Sequence, residues 1–185
     1  MGWTYDTNIP PECYKKAVVL AVPHTSNWDF PVCAAILGAA GINMRYTVKR
    51  EWMRFPMSLI MGPLGAIPID RRPKSPGEAR PSTVEAITEM MRTTKEDVIL
   101  IIPPEGSRSL REEWRTGFYH IAQGANVPIV CGYLDFKNKI GGMKAVVYPT
   151  GDMDADMRKI MEIYASFKDK GKFPEKFSLD KRYVS

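Results

Sequence analysis

Two histidines occur in the 185 residues, and one of them, His24, stands five positions before a carboxylate in Pro23-His24-Thr25-Ser26-Asn27-Trp28-Asp29. An imidazole paired with Asp29 can serve as a general base. One ring nitrogen takes a proton while the other donates to the carboxylate, which fixes the tautomer and steadies the imidazolium. Such a base is worth roughly 10²–10⁴-fold and needs no Ser or Cys partner when the hydroxyl belongs to a substrate. The alternative is a core histidine beside a helix-start carboxylate, and the pair alone does not choose between them.

Two more polar clusters bear on the choice, Asp70-Arg71-Arg72 and Glu105-Gly106-Ser107-Arg108. Guanidinium groups at Arg71 and Arg108 suit a phosphate, which they can hold bidentately. Arg72, Arg111 and Arg115 read as a solvated basic edge. Glu105 makes a poor phosphate ligand, and fits better as a hydrogen-bonding partner for a substrate hydroxyl or as a holder for an arginine. The second histidine, His120, lies between aromatic and apolar residues of a helical stretch and reads as structural.

For these side chains to meet, a common scaffold must bring them to one edge. Residues 17–22 form an apolar run without alternation, as in a strand covered on both faces. Ser26 and Asn27 are N-cap candidates for a helix with Asp29 in its first turn, and Gly41 suits the position just past its end. Strands are expected over 45–49, Ala66–Ile69, Val98–Ile102, 128–134 and 144–148, with a turn at 137–142. Pro56 divides the Met- and aromatic-rich segment 51–61 into two short helical pieces, and 73–80 reads as a surface loop. Ser82-Thr83-Val84-Glu85 is a capping-box pattern that opens a helix to about Thr93. A short helix is expected over 116–124, and Asp152 or Asp154 should cap an amphipathic helix running through Phe167. The alternation predicts an α/β fold, a single domain over 1–185 with a mostly parallel sheet flanked by helices. Sites in such sheets gather beyond the carboxyl ends of strands, where all three polar clusters fall. The motif-bearing core spans 17–134, and 171–185 reads as a charged tail.

Apolar and charged shares of 44% and 25% are ordinary for a soluble globular chain. The net charge of +5, with a pI near 9.1, suits an anionic partner: a phosphate-bearing substrate, an anionic lipid surface or nucleic acid. No nucleic-acid partner is expected. The sequence has no helix-turn-helix, zinc-ligand or RNP-like pattern, and its basic residues lie at strand ends rather than along one helix. Cys13, Cys33 and Cys131 lack metal spacing and read as reduced structural thiols, which points to the cytoplasm and to no metal. Residues 1–8 carry no signal-peptide pattern. The uncharged stretch 30–44 is interrupted by Pro31, Gly38 and Gly41, and falls short of the about 20 residues that a membrane span needs. Lys49, Arg50 and Arg54 interleave with Trp52, Phe55, Met57 and Ile60. That pattern suits either peripheral contact with the cytoplasmic face of an anionic membrane or a partly buried amphipathic helix.

Together the clusters carry a resemblance. The stretch from Pro23 to Asp29 resembles the Asn-His-x4-Asp block of the glycerolipid acyltransferases, the family of lysophosphatidic acid acyltransferase. Gly65-Ala66-Ile67-Pro68-Ile69-Asp70-Arg71 is similar to that family's second block, and Pro103-Pro104-Glu105-Gly106-Ser107-Arg108-Ser109 to its third, Phe-Pro-Glu-Gly-Thr-Arg-Ser. Val127-Pro128-Ile129-Val130 resembles the fourth, and the four stand in family order. The resemblance implies His24 as base and Asp29 as its orienter, with Glu105, Gly106 and Ser107 in the acceptor site. It also implies Arg71 and Arg108 as holders of the acceptor phosphate, and a binding role for Lys49. Pro23, Pro68, Pro103 and Cys131 depart from the family pattern, as does the lack of hydrophobic N-terminal helices. The His, Asp, Glu and Arg positions are kept.

The implied reaction moves a fatty acyl group from acyl-CoA or acyl-carrier protein, acting as donor substrate rather than cofactor, to a lysophospholipid hydroxyl. The acceptor is 1-acyl-sn-glycerol-3-phosphate, or in the alternative another lysolipid or an acyl-amino acid. Water on the same His–Asp pair would give a thioester or ester hydrolase. Residues 30–37 and the Met-rich segment 52–61 are candidate walls for an acyl groove.

Overall fold

The apolar run at 17–22 forms the centre of the molecule. In the computed structural model, which describes residues 2–7, 9–42, 44–49, 53–56, 58–59, 62–63, 65–69 and 82–184, it becomes strand β2 (Lys16–Val22). Side chains alternate across a strand, and both faces of β2 are buried. Val18, Leu20 and Val22 enter one apolar cluster, Ala17 and Val19 the other.

Around β2 run β1 (Thr4–Thr7), β3 (Met44–Lys49), β4 (Ala66–Ile69), β5 (Val98–Ile102), β6 (Ile129–Asp135) and β7 (Ile140–Val147). They form one seven-stranded sheet in the order β1-β7-β6-β2-β5-β3-β4. β2 pairs in parallel with β5 and β6, β5 with β3, and β3 with β4. Among the described strands only the β6–β7 hairpin is antiparallel, and β1 follows β7 in parallel. The mostly parallel α/β architecture expected from the sequence is the one found.

Helices cover both faces. Leu37 of α1 (Asp29–Ala39) joins Val19 and Ile99 on one side. On the other, α2 (Thr83–Thr93), α3 (Gly117–Ala125) and α4 (Met153–Tyr164) bury Ile87, Met91, Phe118, Met157 and Tyr164 against Val18 and Leu20. The capping box of α2 forms as its pattern predicts, with Ser82 Oγ accepting from Glu85 N–H and Glu85 accepting from Ser82 N–H. Asp152 caps α4 through Ala155 N–H, and a 3-10 turn carries the chain to Phe167. α1 ends in a Schellman motif, with Ile42 N–H on Leu37 O and Gly41 N–H on Gly38 O. Gly41 takes φ +72° there, which glycine alone adopts without strain.

Three expectations shift. β7 begins at Ile140 rather than 144, because Asp135 accepts from both the backbone and side chain of Asn138 and so closes the turn early. The freed glycines then pair. A Cβ on Gly142 would lie 1.7 Å from Asp6 O, so the unanticipated β1 can approach only because position 142 has no side chain. His120 is not a core residue: it is exposed on α3, its ring edge-on to Tyr119. Among the described residues no helix is long and apolar enough to cross a membrane.

Candidate active site

The loop leaving β2 carries the first cluster. α1 does not use Ser26 or Asn27 as a capping residue. It starts at Asp29, behind a Trp28 that makes no side-chain cap. Ser26 instead serves the carboxylate: its hydroxyl donates to Asp29 Oδ1 at 2.7 Å and its N–H to Oδ2 at 2.9 Å. Trp28 N–H in turn donates to Ser26 Oγ at 3.1 Å. His24 Nδ1 lies 3.0 Å from the same Oδ2. Burial alone would raise the Asp29 pKa, but the hydrogen bonds from His24 and Ser26 outweigh it and hold the group below the usual range. Asp29 is therefore ionised at neutral pH and fixes Nδ1 as the protonated nitrogen. Nε2 is then the ring nitrogen able to accept a proton.

Because β5 is the neighbour of β2, the loop that follows it meets the His24 loop. His24 N–H donates to Glu105 Oε1 at 2.9 Å, while Oε2 is buried without a partner among the described residues. Burial pushes the Glu105 carboxyl from 4.5 up to about 7, against the opposing hydrogen bond from His24 N–H. Folded-state protonation tighter than in the unfolded chain gives stability that is complete below pH 4.5 and lost as pH rises through 7. Glu105→Gln cannot ionise, so between pH 4.5 and 8 its stability should gain on wild type by roughly 3 kcal/mol. Urea unfolding at pH 5 and 8 measures this. Parallel pH dependence in the two proteins would rule out the buried ionisation.

The remaining candidates divide. Arg108 lines the same cavity as His24 and Asp29. Gly106 turns the chain at φ +66°, and a Cβ there would come within 2.6 Å of Arg115 Nε, so glycine lets that guanidinium lie across the turn. Arg115 N–H also donates to Pro104 O, which ties this basic-edge residue to the motif. Ser107 turns into its own loop, its Oγ accepting from Arg111 Nε at 3.2 Å. Lys49 ends β3, with its side chain outside the described part of the structure. Arg71, with Asp70 and Arg72, lies outside the described residues, as do Trp52, Met57, Ile60 and Met61 of the interfacial segment.

A cavity of about 400 Å³ opens beside His24, between α1 and the sheet. Phe30, Cys33, Ile36 and Leu37 line it from α1, as the apolar face of 30–37 suggests, and Gly132 and Met143 close it from the sheet. No described residue of 52–61 takes part. The three cysteines are free thiols. Burial pushes Cys33 and Cys131 up to about 12, so neither supplies a thiolate at neutral pH.

Sequence reasoning missed the C-terminal segment as part of the site. Gly171 packs against Pro23 and Thr25, and Phe173 N–H donates to Thr25 Oγ1 at 3.2 Å. Further on, Ser178 Oγ donates to Arg111 O and Lys181 N–H to Glu112 O. Asp180, fully buried, accepts from Trp114 N–H and from Arg182. One strap thus fastens the His24 loop and residues 111–114, which follow the Glu105–Arg108 turn. Its only sequence signals are Gly171, Pro174 and the Asp180-x-Arg182 pair, none with a recognisable period.

A two-loop site at the carboxyl edge of a parallel sheet, with a His–Asp pair over an apolar cavity, suits base-assisted transfer or hydrolysis of an acyl group. The acyltransferase family model matches residues 4–134, and the chain belongs to that family. The structure is similar to the crystal structure of the 1-acyl-sn-glycerophosphate (LPA) acyltransferase PlsC from Thermotoga maritima. The TM-score is 0.56 and the identity 16%, over 89% of this chain and 70% of that one. No curated protein matches the sequence. The strap lies beyond the family-matched residues.

Proposed function

We propose that this acyltransferase moves a fatty acyl group from an acyl thioester to the hydroxyl of a lysolipid, with 1-acyl-sn-glycerol-3-phosphate as acceptor. The observation that carries this reading is the 3.0 Å His24–Asp29 pair at the rim of an apolar cavity. His24 Nε2 takes the acceptor's hydroxyl proton as the oxygen attacks the thioester carbonyl. Asp29 stabilises the imidazolium. Gly106 N–H is engaged by Pro103 O, so the tetrahedral oxygen draws on the backbone N–H groups of Ser107 and Arg108. The C–S bond then breaks, and the departing thiolate of CoA or acyl-carrier protein takes the proton back from His24. The acyl chain lies along Phe30, Ile36 and Leu37.

Arg108 at the cavity mouth supports a phosphate-bearing acceptor, because guanidinium binds phosphate bidentately. Glu105 and Gly106 shape the turn that presents it, and Arg71, Lys49 and Ser107 complete the acceptor site. The name of the Thermotoga enzyme supports the same acceptor.

The test is acyl transfer to a panel of lysolipids and acyl-amino acids, with acyl-CoA and acyl-carrier protein as alternative donors. Lysophosphatidate should be preferred, and Arg108→Ala should raise its KM about tenfold or more without changing the preference for donor. Thioester hydrolysis that ignores every acceptor would replace this reading with a hydrolase.

A further inference from the structure

Three of the large apolar side chains left in water stand on the segments around the cavity: Phe30 lines it, Trp28 precedes Asp29, and Phe173 is bonded to the His24 loop. Trp28 is 59% exposed, Phe173 39% and Phe30 36%. Trp28 belongs to the His24 loop and Phe173 to the strap, and the bond from Phe173 N–H to Thr25 Oγ1 joins the two. Each of these two rings carries a lysine. Lys172 Nζ lies 5.0 Å from the Trp28 ring centroid and Lys176 Nζ 4.3 Å from that of Phe173. Lys168 is exposed nearby, whereas Lys170 is engaged by Asp135 at 2.7 Å. The acidic side chains of the same segment are Asp169 and Glu175, both exposed, so residues 168–176 keep a positive balance.

Exposed rings gain nothing from water, and on a soluble chain a rim of them marks a contact surface. The chemistry of that contact follows from the pairing. Aromatic rings topped by ammonium groups match the boundary between acyl chains and anionic headgroups, where the ring is buried and the cation stays among phosphates. An acidic protein would match the lysines but leave the rings without an apolar partner. Arg108, exposed on the loop after β5, adds a further cation at the cavity itself.

We propose that this rim, Trp28 with Lys172, Phe173 and Lys176, docks on an anionic lipid surface. Docking there places the cavity mouth against the bilayer, so a lysolipid enters beside His24 without crossing water. The route of the lysolipid rests on the function proposed above, whereas vesicle binding is read without any acyl transfer. The full chain is floated with phosphatidylcholine vesicles and with phosphatidylcholine–phosphatidylglycerol vesicles. Binding is expected to the anionic vesicles alone and to weaken as salt is raised. The Lys172→Glu/Lys176→Glu variant should bind roughly twentyfold more weakly or worse, and Phe173→Ser should also lose binding. Both variants should keep a wild-type circular dichroism spectrum and a thermal midpoint close to wild type, which separates lost docking from lost fold.

No binding by wild type, or equal binding by the variants, overturns the proposal. So does a charge-reversed variant that fails only with acyl-carrier protein as donor while wild type ignores vesicles, since the rim would then dock an acidic protein. Vesicle binding by a chain that acylates no lysolipid would leave the docking surface standing and remove the proposed function.

Discussion

Asp29→Asn should reduce kcat for acyl transfer by on the order of 10³-fold while leaving the thermal midpoint close to wild type. Asp29 Oδ2 accepts two donors, Ser26 N–H and His24 Nδ1, while Oδ1 accepts the Ser26 hydroxyl. An asparagine that puts its oxygen at the Oδ2 position keeps the first two bonds. Its amide nitrogen then faces a hydroxyl that can rotate to accept. The geometry survives, and what disappears is the negative charge that stabilises an imidazolium. Asp29→Ala differs, because it leaves the buried Ser26 N–H unpaired and frees the ring, so it should lose stability as well as activity. His24→Ala should fall to the level of the residual binding contribution. Combining His24→Ala with Asp29→Asn should cost nothing further, because Asp29 acts only through the ring. Single-turnover rates and melting curves on the four proteins separate these cases. An Asp29→Asn enzyme with wild-type kcat would remove the base assignment.

The residues of this pair were legible because chemistry and position coincide. A continuous apolar run predicts a central strand, and a parallel sheet sends its loops to one edge, so His24 and Glu105 are neighbours through β2 and β5. The partner of Asp29 was misread. Ser26 has the side chain of a helix cap, and local pattern cannot tell a cap from a hydroxyl that holds a carboxylate. β1 was missed for a different reason. Four residues of alternating polarity at an edge carry little signal, and the condition that admits β1 is Gly142, far away in the sequence. The strap was illegible for the most physical of reasons. It is held by backbone hydrogen bonds, one buried carboxylate and two core side chains, Phe177 and Leu179. Two apolar residues among charged ones make too short a pattern to read as an element.

That carboxylate sets the second large effect. Asp180→Ala should cost roughly 2–4 kcal/mol, lowering the thermal midpoint by about 5–15 °C. Asp180 accepts Trp114 N–H at 2.9 Å, Arg182 Nε at 3.0 Å and Arg182 Nη2 at 2.7 Å. Without it the buried Trp114 N–H loses its acceptor, and the Arg182 guanidinium loses its buried carboxylate and keeps Trp114 O and Glu113. Burial would raise the Asp180 pKa, but the bonds from Arg182 and Trp114 outweigh it and depress it. Its stabilisation is therefore present above the ordinary carboxylate range and is lost as pH falls through the lowered folded value. The Asp180→Ala penalty should accordingly shrink in acid. Lys181→Ala provides the contrast: its bond to Glu112 joins two exposed side chains, and such pairs are worth about 0–1 kcal/mol.

The kinetic consequence follows from what Trp114 anchors. Its neighbour Arg115 lies across Gly106 and bonds Pro104 O, so loosening residues 111–114 loosens the turn that presents Arg108. Below its melting range, Asp180→Ala should therefore raise KM for the phosphate-bearing acceptor more than it lowers kcat, and leave KM for the acyl donor unchanged. An acceptor KM equal to wild type, in a variant that melts several degrees lower, would show that the strap holds the fold and not the site.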